Sequence, residues 1–205
     1  GLGDVYKRQL DHHEARILNG EQFLPEADVV IDPHITEADF EDYCGAGLAY
    51  RFMREVFAKK RRPADLNGIM SSMIALAAVG TVGDSVTMKA ENRFLVRRGM
   101  EQIEQKRVST GLVLLLEEMK LSDTLSVEDI AYSLVPAINA FGRLEDEGSR
   151  KVAALLSYTG RKSDGAKNAA QIVKQMNDER KTYCKELTEL AEKMVEETGQ
   201  MNNSV

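Results

Sequence analysis

The chain has 205 residues, 43% of them hydrophobic, with two cysteines and a formal net charge of −6 at pH 7. This length predicts one domain, or one and a half, with a sizeable buried core, and so few cysteines exclude a disulfide framework and favour a cytoplasmic protein. The longest apolar runs fall short of the roughly 20 residues that cross a membrane, so no membrane partner is expected, and an acidic chain binds nucleic acid only through a local basic face or bound metal ions.

The first nine residues carry a signal that does not concern folding. Residues 4–9 read DVYKRQ, which is the translation of a transposon adapter used in DNA library preparation. Residues 1–9 are therefore interpreted as sequencing read-through and set aside from the fold prediction.

A loop and a short strand are predicted next. Residues 15–27 form the loop, with a turn at Asn19-Gly20. The β-branched apolar run at residues 27–32 predicts a buried strand, which belongs to a small parallel sheet. The polar residues that follow the strand predict a further loop.

Helical patterns dominate the rest of the chain. The predicted helices cover residues 44–57, 64–80, 91–105, 110–120 and 127–144. The second helix ends at Gly80 and is followed by a loop that carries Asp84. Ser126 and Asp129 form the pattern of a capping box at the start of the last helix in this set.

A long helix is predicted for residues 164–197. Its apolar side chains recur at steps of four, seven, four, three and four residues, at Ile172, Met176, Tyr183, Leu187, Leu190 and Met194. This one-sided stripe, with charges of both signs on the outer face, predicts a helix packed along a domain. A free coiled coil would need a longer run of heptads.

The tripeptide Asp-His-His at residues 11–13 contains two of the three histidines of the chain. Aspartate and neutral imidazole are ligands of hard and borderline divalent metal ions. Adjacent side chains diverge on a strand or a helix, so both rings do not easily bind one ion. If one ring binds a metal, its neighbour can face a substrate oxygen, and the carboxylate can orient a ring. Taken alone, the tripeptide is a weak indication of a metal site.

The motifs that follow the tripeptide make a more specific pattern. In chain order they read DHH, ADVVIDP, CGAGLAYRF, AAVGTVGDSVTMKAENRFLVRRG, PAINAFGRL and MNDERK. The series resembles the RecJ family, the single-stranded-DNA-specific exonucleases of the DHH phosphoesterase superfamily, from Leu10 to about Met194. The resemblance implies a helix-dominated α/β fold. Residues 10–160 would be the C-terminal part of a DHH-type domain with a small parallel sheet, and residues 161–205 a long connecting helix that leads to a second domain.

The resemblance also implies roles for the residues that match the motifs. His12 and Asp84 would be ligands of a Mn²⁺ or Mg²⁺ pair. His13 would face the scissile phosphate, and Asp11 would orient or assist His12 in catalysis. The implied activity is the 5′-to-3′ hydrolysis of single-stranded DNA in recombination and repair, with other DNA-repair proteins as further partners. The metal ions would supply the positive charge that an acidic protein lacks.

Four further residues are candidates for binding the substrate. The family often has arginine in the place of Ala137, so Arg143 becomes the better phosphate contact, with Asn139 four residues away on the same helix face. Gly45 and Gly47 open the first helix. There they serve either a tight helix start or an anion held by backbone N–H groups.

The chain departs from the family in its extent. The family's upstream acidic motifs and its downstream substrate-binding domain are absent, so we expect a fragment that lacks most of the metal-binding carboxylates and is inactive alone. Two other functions stay open: a different DHH phosphoesterase acting on cyclic dinucleotides or short oligonucleotides, and a non-catalytic helical module that binds nucleic acid or a partner. The GTVGD and INAFGRL segments favour the exonuclease, whereas the missing upstream motifs favour the module.

Overall fold

The structure, a computed structural model, describes residues 7–14, 16–18, 21–24, 26–35, 38–60, 63–121, 125–144 and 147–198. Helices make up most of these residues, and two small sheets lie near the N-terminus. The helix-dominated α/β fold predicted from the sequence is therefore confirmed. The chain divides into two compact units, Gly1–Ser109 with Leu121–Val135, and Thr110–Lys120 with Pro136–Val205.

Four strands of three residues each form the two sheets: β1 (Arg8–Leu10), β2 (Arg16–Leu18), β3 (Glu21–Phe23) and β4 (Val29–Ile31). β1 and β4 pair in parallel, which confirms the small parallel sheet predicted around residues 27–32. β1 includes two residues from the segment interpreted as read-through, while residues 1–6 of that segment lie outside the described residues.

The loop predicted for residues 15–27 is wrong in part. β2 and β3 pair antiparallel on either side of Asn19-Gly20, which itself lies outside the described residues. Asn-Gly is the commonest two-residue connection of a hairpin, because both residues tolerate a positive φ. The turn signal in the sequence was therefore also a signal for the hairpin.

Three helices form the core of the first unit: α1 (Gly45–Lys59), α2 (Leu66–Gly83) and α3 (Ala90–Glu104). α2 contacts both α1 and α3. Seven residues of α2 are buried. By length and hydropathy alone α2 is able to cross a membrane, but its packing here is that of a core helix between two others.

α2 continues beyond the end predicted at Gly80. Thr81 and Val82 are buried, and Thr81 Oγ1 donates a hydrogen bond to Ala77 O at 2.7 Å. The prediction was wrong because burial of this last turn outweighs the low helix propensity of glycine. Asp84 is consequently the C-cap residue of a helix rather than the middle of a loop.

A helical turn, α5 (Val127–Asp129), runs directly into a π-helical segment (Ile130–Leu134) and then into α6 (Val135–Leu144). The predicted capping box is confirmed. Ser126 Oγ accepts a hydrogen bond from Asp129 N at 3.0 Å, and the Asp129 carboxylate accepts one from Ser126 N at 2.9 Å. The π-helical segment was not predicted, because a single wide turn leaves little trace in apolar periodicity.

The second unit consists of α4 (Thr110–Glu118), most of α6, α7 (Gly148–Leu156) and α8 (Asp164–Glu197). α8 has the bounds predicted from the sequence. It packs on α4, and its buried residues are Ala170, Val173 and Asn177.

The apolar stripe of α8 is exposed over the C-terminal half of the helix, and Ile172 in the first half is also 40% exposed. Tyr183, Leu187, Leu190 and Met194 are between 54% and 65% exposed, so the packing predicted for them is wrong. For the C-terminal half, the reason is the length of the neighbouring helix. The 9 residues of α4 make about 13 Å of helix, against about 51 Å for the 34 residues of α8.

Candidate metal centre

The Asp-His-His loop begins where β1 ends. Asp11 N donates a hydrogen bond to Ile31 O at 3.0 Å, which extends the ladder between β1 and β4. The Oδ1 atom of Asp11 accepts hydrogen bonds from His12 N at 2.8 Å and His13 N at 3.2 Å. Gln9 Nε2 donates to Asp11 Oδ2 at 3.0 Å. Asp11 therefore fixes the backbone of both histidines.

The carboxylate of Asp11 also holds the ring of His13. His13 Nδ1 lies 2.8 Å from Asp11 Oδ1. With the proton on Nδ1 the ring donates to the carboxylate, and Nε2 is left for another partner. The His13 side chain is 77% exposed, so a substrate can reach it. The resemblance implied that Asp11 orients His12, whereas the hydrogen bonds of the described residues join Asp11 to the ring of His13 and to the backbone of His12.

These contacts give a prediction about pH. Hydrogen bonds from the His13 ring, the Gln9 amide and the loop backbone hold the pKa of Asp11 well below its ordinary value of 3.8. A lowered pKa stabilises the folded loop at every pH above that ordinary value, and the contribution is lost only in stronger acid. We expect a carbon-13 NMR titration to show the Asp11 carboxylate still ionised at pH 3.8. A midpoint at that pH would contradict the observed hydrogen bonds.

His12 and Asp84 lie side by side although they are far apart in sequence. His12 Nε2 is 3.7 Å from Asp84 Oδ2, and the two side chains are 20% and 47% exposed. The His12 ring also lies beside the start of α1, since a methyl group added to Gly45 would be 3.5 Å from ring atom Cδ2. The convergence expected from the sequence is present, while the role of both residues as metal ligands stays a prediction.

The place of Asp84 at a helix end favours a cation. Asp84 caps the C-terminus of α2, where its N–H donates to Gly80 O at 2.9 Å. The last carbonyl groups of a helix carry partial negative charge, so a carboxylate at that end adds to the negative potential instead of compensating it. A bound cation would relieve this repulsion.

The donor set and its spacing fit a divalent ion. Imidazole nitrogen and carboxylate oxygen together suit a borderline ion such as Mn²⁺. Bonds of about 2.0–2.2 Å place two neighbouring ligands of one ion roughly 3–3.5 Å apart, so the observed 3.7 Å needs only a small closing movement. Within the described ranges, no three His, Cys, Asp or Glu side chains are grouped to hold an ion. The described part of the chain thus offers a pair of ligands.

The start of α1 depends on Cys44, for which no role is predicted from the sequence. Cys44 is the N-cap residue: its Sγ accepts a hydrogen bond from Gly47 N at 3.2 Å and lies 3.5 Å from Thr81 Oγ1. Gly47 is buried and its N–H is used in this cap. Of the two candidate glycines, the exposed Gly45 beside His12 is therefore better placed to contact an anion. The position of Cys44 directly before a glycine-rich helix start was the available cue.

Asn139 and Arg143 belong to the second unit, on α6, and both are exposed. Their helical spacing of four residues places them on one face, as predicted. Ala137, on the same helix, is fully buried. Contact of Asn139 and Arg143 with DNA stays a prediction.

Comparison with known proteins decides the family. No protein-family model matches the chain. Over 162 residues the chain is 31% identical to the single-stranded-DNA-specific exonuclease RecJ of Dickeya dadantii, a match that covers 71% of this chain and 27% of that relative. This chain is a RecJ homologue. It spans about a quarter of the length of the curated RecJ proteins that it matches, 24–27% for three of them.

Solved RecJ structures have the same fold. A crystal structure of RecJ bound to manganese matches with a TM-score of 0.65 and 27% identity, over 78% of this chain and 38% of that one. RecJ from Thermus thermophilus in complex with Mn²⁺ matches with a TM-score of 0.70 and 24% identity, over 97% of this chain and 27% of that one. The resemblance to RecJ inferred from the motifs is thereby confirmed.

Proposed function

We propose that this chain supplies the DHH-type metal centre of a cytoplasmic exonuclease that hydrolyses single-stranded DNA in the 5′-to-3′ direction during recombination and repair. The observation that carries the proposal is the 3.7 Å approach of His12 Nε2 and Asp84 Oδ2 beside the exposed ring of His13. Its relatives are named for action on single-stranded DNA, and the RecJ structures contain manganese or magnesium. Interaction with other DNA-repair proteins belongs to the same proposal.

Asp84 and the three residues of the Asp-His-His loop have distinct roles in this proposal. His12 and Asp84 hold Mn²⁺ or Mg²⁺. A pair of such ions, when bound, activates water and stabilises the leaving oxygen of a phosphodiester. Asp11 orients the ring of His13 through Nδ1, and the protonated ring offers Nε2–H to an oxygen of the scissile phosphate. The exposure of His13 leaves that nitrogen accessible to the strand.

Three further groups contact the DNA backbone in this proposal. The N–H of Gly45, at the positive end of α1, donates to a phosphate oxygen. Arg143 and Asn139 bind phosphate or sugar groups. Contacts of this kind fix the position of the strand and carry no sequence information.

The test measures degradation of 5′-phosphorylated single-stranded DNA in the presence of Mn²⁺. It compares the 205-residue chain with a gene product extended upstream to include the acidic motifs expected from the resemblance. We expect the extended protein to degrade DNA and His13→Gln to lower its rate about 100-fold or more, as for the loss of a proton donor. The 205-residue chain should be nearly inactive, because two dications near each other need more ligands against their repulsion than the pair that its described residues offer.

His34→Gln in the extended protein is the matched control. The ring of this third histidine lies 3.5 Å from Glu41, and no contact among the described residues joins it to the metal centre, so the variant should degrade DNA as fast as the unchanged protein. Hydrolysis of cyclic dinucleotides but not of DNA would replace the proposal by another phosphoesterase activity. Binding of DNA without hydrolysis would replace it by a binding module.

A further inference from the structure

Asn92 is a fully buried polar residue in the first turn of α3. Its Nδ2 donates hydrogen bonds to Asp42 O at 2.6 Å and to Thr87 O at 3.0 Å. The amide orientation is fixed, because a flipped amide would place its oxygen against two carbonyl oxygens. Oδ1 is buried and has no hydrogen-bond partner among the described residues. An apolar side chain of the same size would avoid that cost, so the two donors account for the asparagine.

The two acceptors of Asn92 belong to the segments that carry the metal centre. Asp42 precedes Cys44, the N-cap of α1, by two residues, and Thr87 follows Asp84 by three. A second bond joins the same segments, since Thr87 Oγ1 donates to the Asp42 carboxylate at 2.5 Å. Asn92 thus joins the residues before α1 to the residues after α2 through hydrogen bonds.

We propose that Asn92 is a positioning residue that holds His12 and Asp84 at ligating distance. The His12 ring lies beside Gly45 at the start of α1, and Asp84 is fixed to the end of α2. A change in the spacing of these two helix ends therefore moves one ligand relative to the other. The inference rests on the proposed metal centre and adds the residue that sets its geometry.

Packing of the helix does not require this amide. The large buried side chains of α3 besides Asn92 are Leu95, Val96 and Ile103, which are apolar. They stabilise the unit by contact alone and make no side-chain hydrogen bond. Loss of Asn92 should therefore weaken metal binding more than a substitution elsewhere on α3 that lowers stability by the same amount.

The experiment follows Mn²⁺ binding to the 205-residue chain by the broadening of backbone amide NMR signals near His12 and Asp84. Asn92→Leu keeps the size of the side chain and removes both donors. We expect it to raise the Mn²⁺ concentration that gives half-maximal broadening about 10- to 100-fold, the effect of losing a group that orients a metal ligand. His12→Ala, which removes a ligand, identifies the site of the broadening.

Ile103→Ala is the matched control, at the opposite end of α3, and should lower stability while leaving the Mn²⁺ concentration for half-maximal broadening unchanged. The inference alone would be overturned if Asn92→Leu bound Mn²⁺ as tightly as the unchanged chain, or if Ile103→Ala lost as much Mn²⁺ affinity as Asn92→Leu. No broadening in the unchanged chain, or broadening unaffected by His12→Ala, would overturn the proposed metal centre and the inference with it. If Asn92→Leu does not fold, Asn92→Ala replaces it, since it also removes both donors: weaker Mn²⁺ binding than in Ile103→Ala supports the inference, and unchanged binding overturns it.

Discussion

Asp84→Asn is expected to abolish Mn²⁺ binding and, in metal-free buffer, to stabilise the first unit. The carboxylate is one of two candidate ligands, 3.7 Å from His12 Nε2. Loss of a group that hydrogen-bonds to a metal ligand lowers metal affinity about 10- to 100-fold, so loss of the ligand itself should lower the affinity by more than that. Without metal, the same charge repels the carbonyl end of α2, and its removal should stabilise the unit by about 0.3–1 kcal/mol.

Asp65→Asn provides the opposite end of the same helix as a control. Asp65 is the N-cap of α2, and its side chain accepts a hydrogen bond from Gly68 N at 3.2 Å. Asparagine caps a helix about as well, but the favourable charge near the N-terminus is lost, so stability should stay equal or fall slightly. Amide NMR with Mn²⁺ measures metal binding, and thermal unfolding in EDTA measures the stability of the metal-free chain. A metal-free Asp84→Asn chain less stable than wild type would mean that the carboxylate serves the fold rather than a cation.

Asp84 could be predicted as a metal ligand from the sequence, but its place at the end of a helix could not. The GTVGD motif marks the residue by resemblance, and two ligands of one ion must meet, so its approach to His12 was predictable. Its place as a helix C-cap was not predictable, because glycine at position 80 indicates a helix end. The burial of Thr81 and Val82 decides otherwise, and burial depends on neighbours that the sequence does not name.

Local signals were sufficient for some helix ends and not for tertiary contacts. α8 begins where Ser163 caps Ala166 N, a pattern that lies within four residues of sequence. The exposure of Leu187 and its neighbours depends instead on how far α4 extends beside α8, which periodicity does not contain. The role of Asn92 was also not predictable, since one of its hydrogen bonds reaches Asp42, 50 positions away in sequence.

The largest effect on stability is expected from Gly111→Ala in the second unit. Gly111 is buried near the start of α4, and its N–H donates to Tyr158 O at 3.0 Å. A methyl group at this position would collide with the backbone carbonyl of Leu155, at the end of α7. Backbone cannot rotate away as a side chain can, so α4 and α7 must separate. We expect a loss of about 3 kcal/mol or more, at the upper end of overpacking effects.

Gly165→Ala isolates the intrinsic effect of the same substitution in the same unit. Gly165 lies in the first turn of α8, and an added methyl group there meets no atom within 4 Å. Alanine should therefore raise stability by up to about 1 kcal/mol, because glycine is the poorer helix former. Hydrogen exchange of the α4 and α8 amides, followed with increasing urea, measures both variants in the unit concerned. Gly111→Ala should lower stability and Gly165→Ala should raise it, because the contact with Leu155 outweighs the gain in helix propensity at Gly111. A Gly111→Ala chain as stable as Gly165→Ala would show that α4 and α7 do not touch through their backbones.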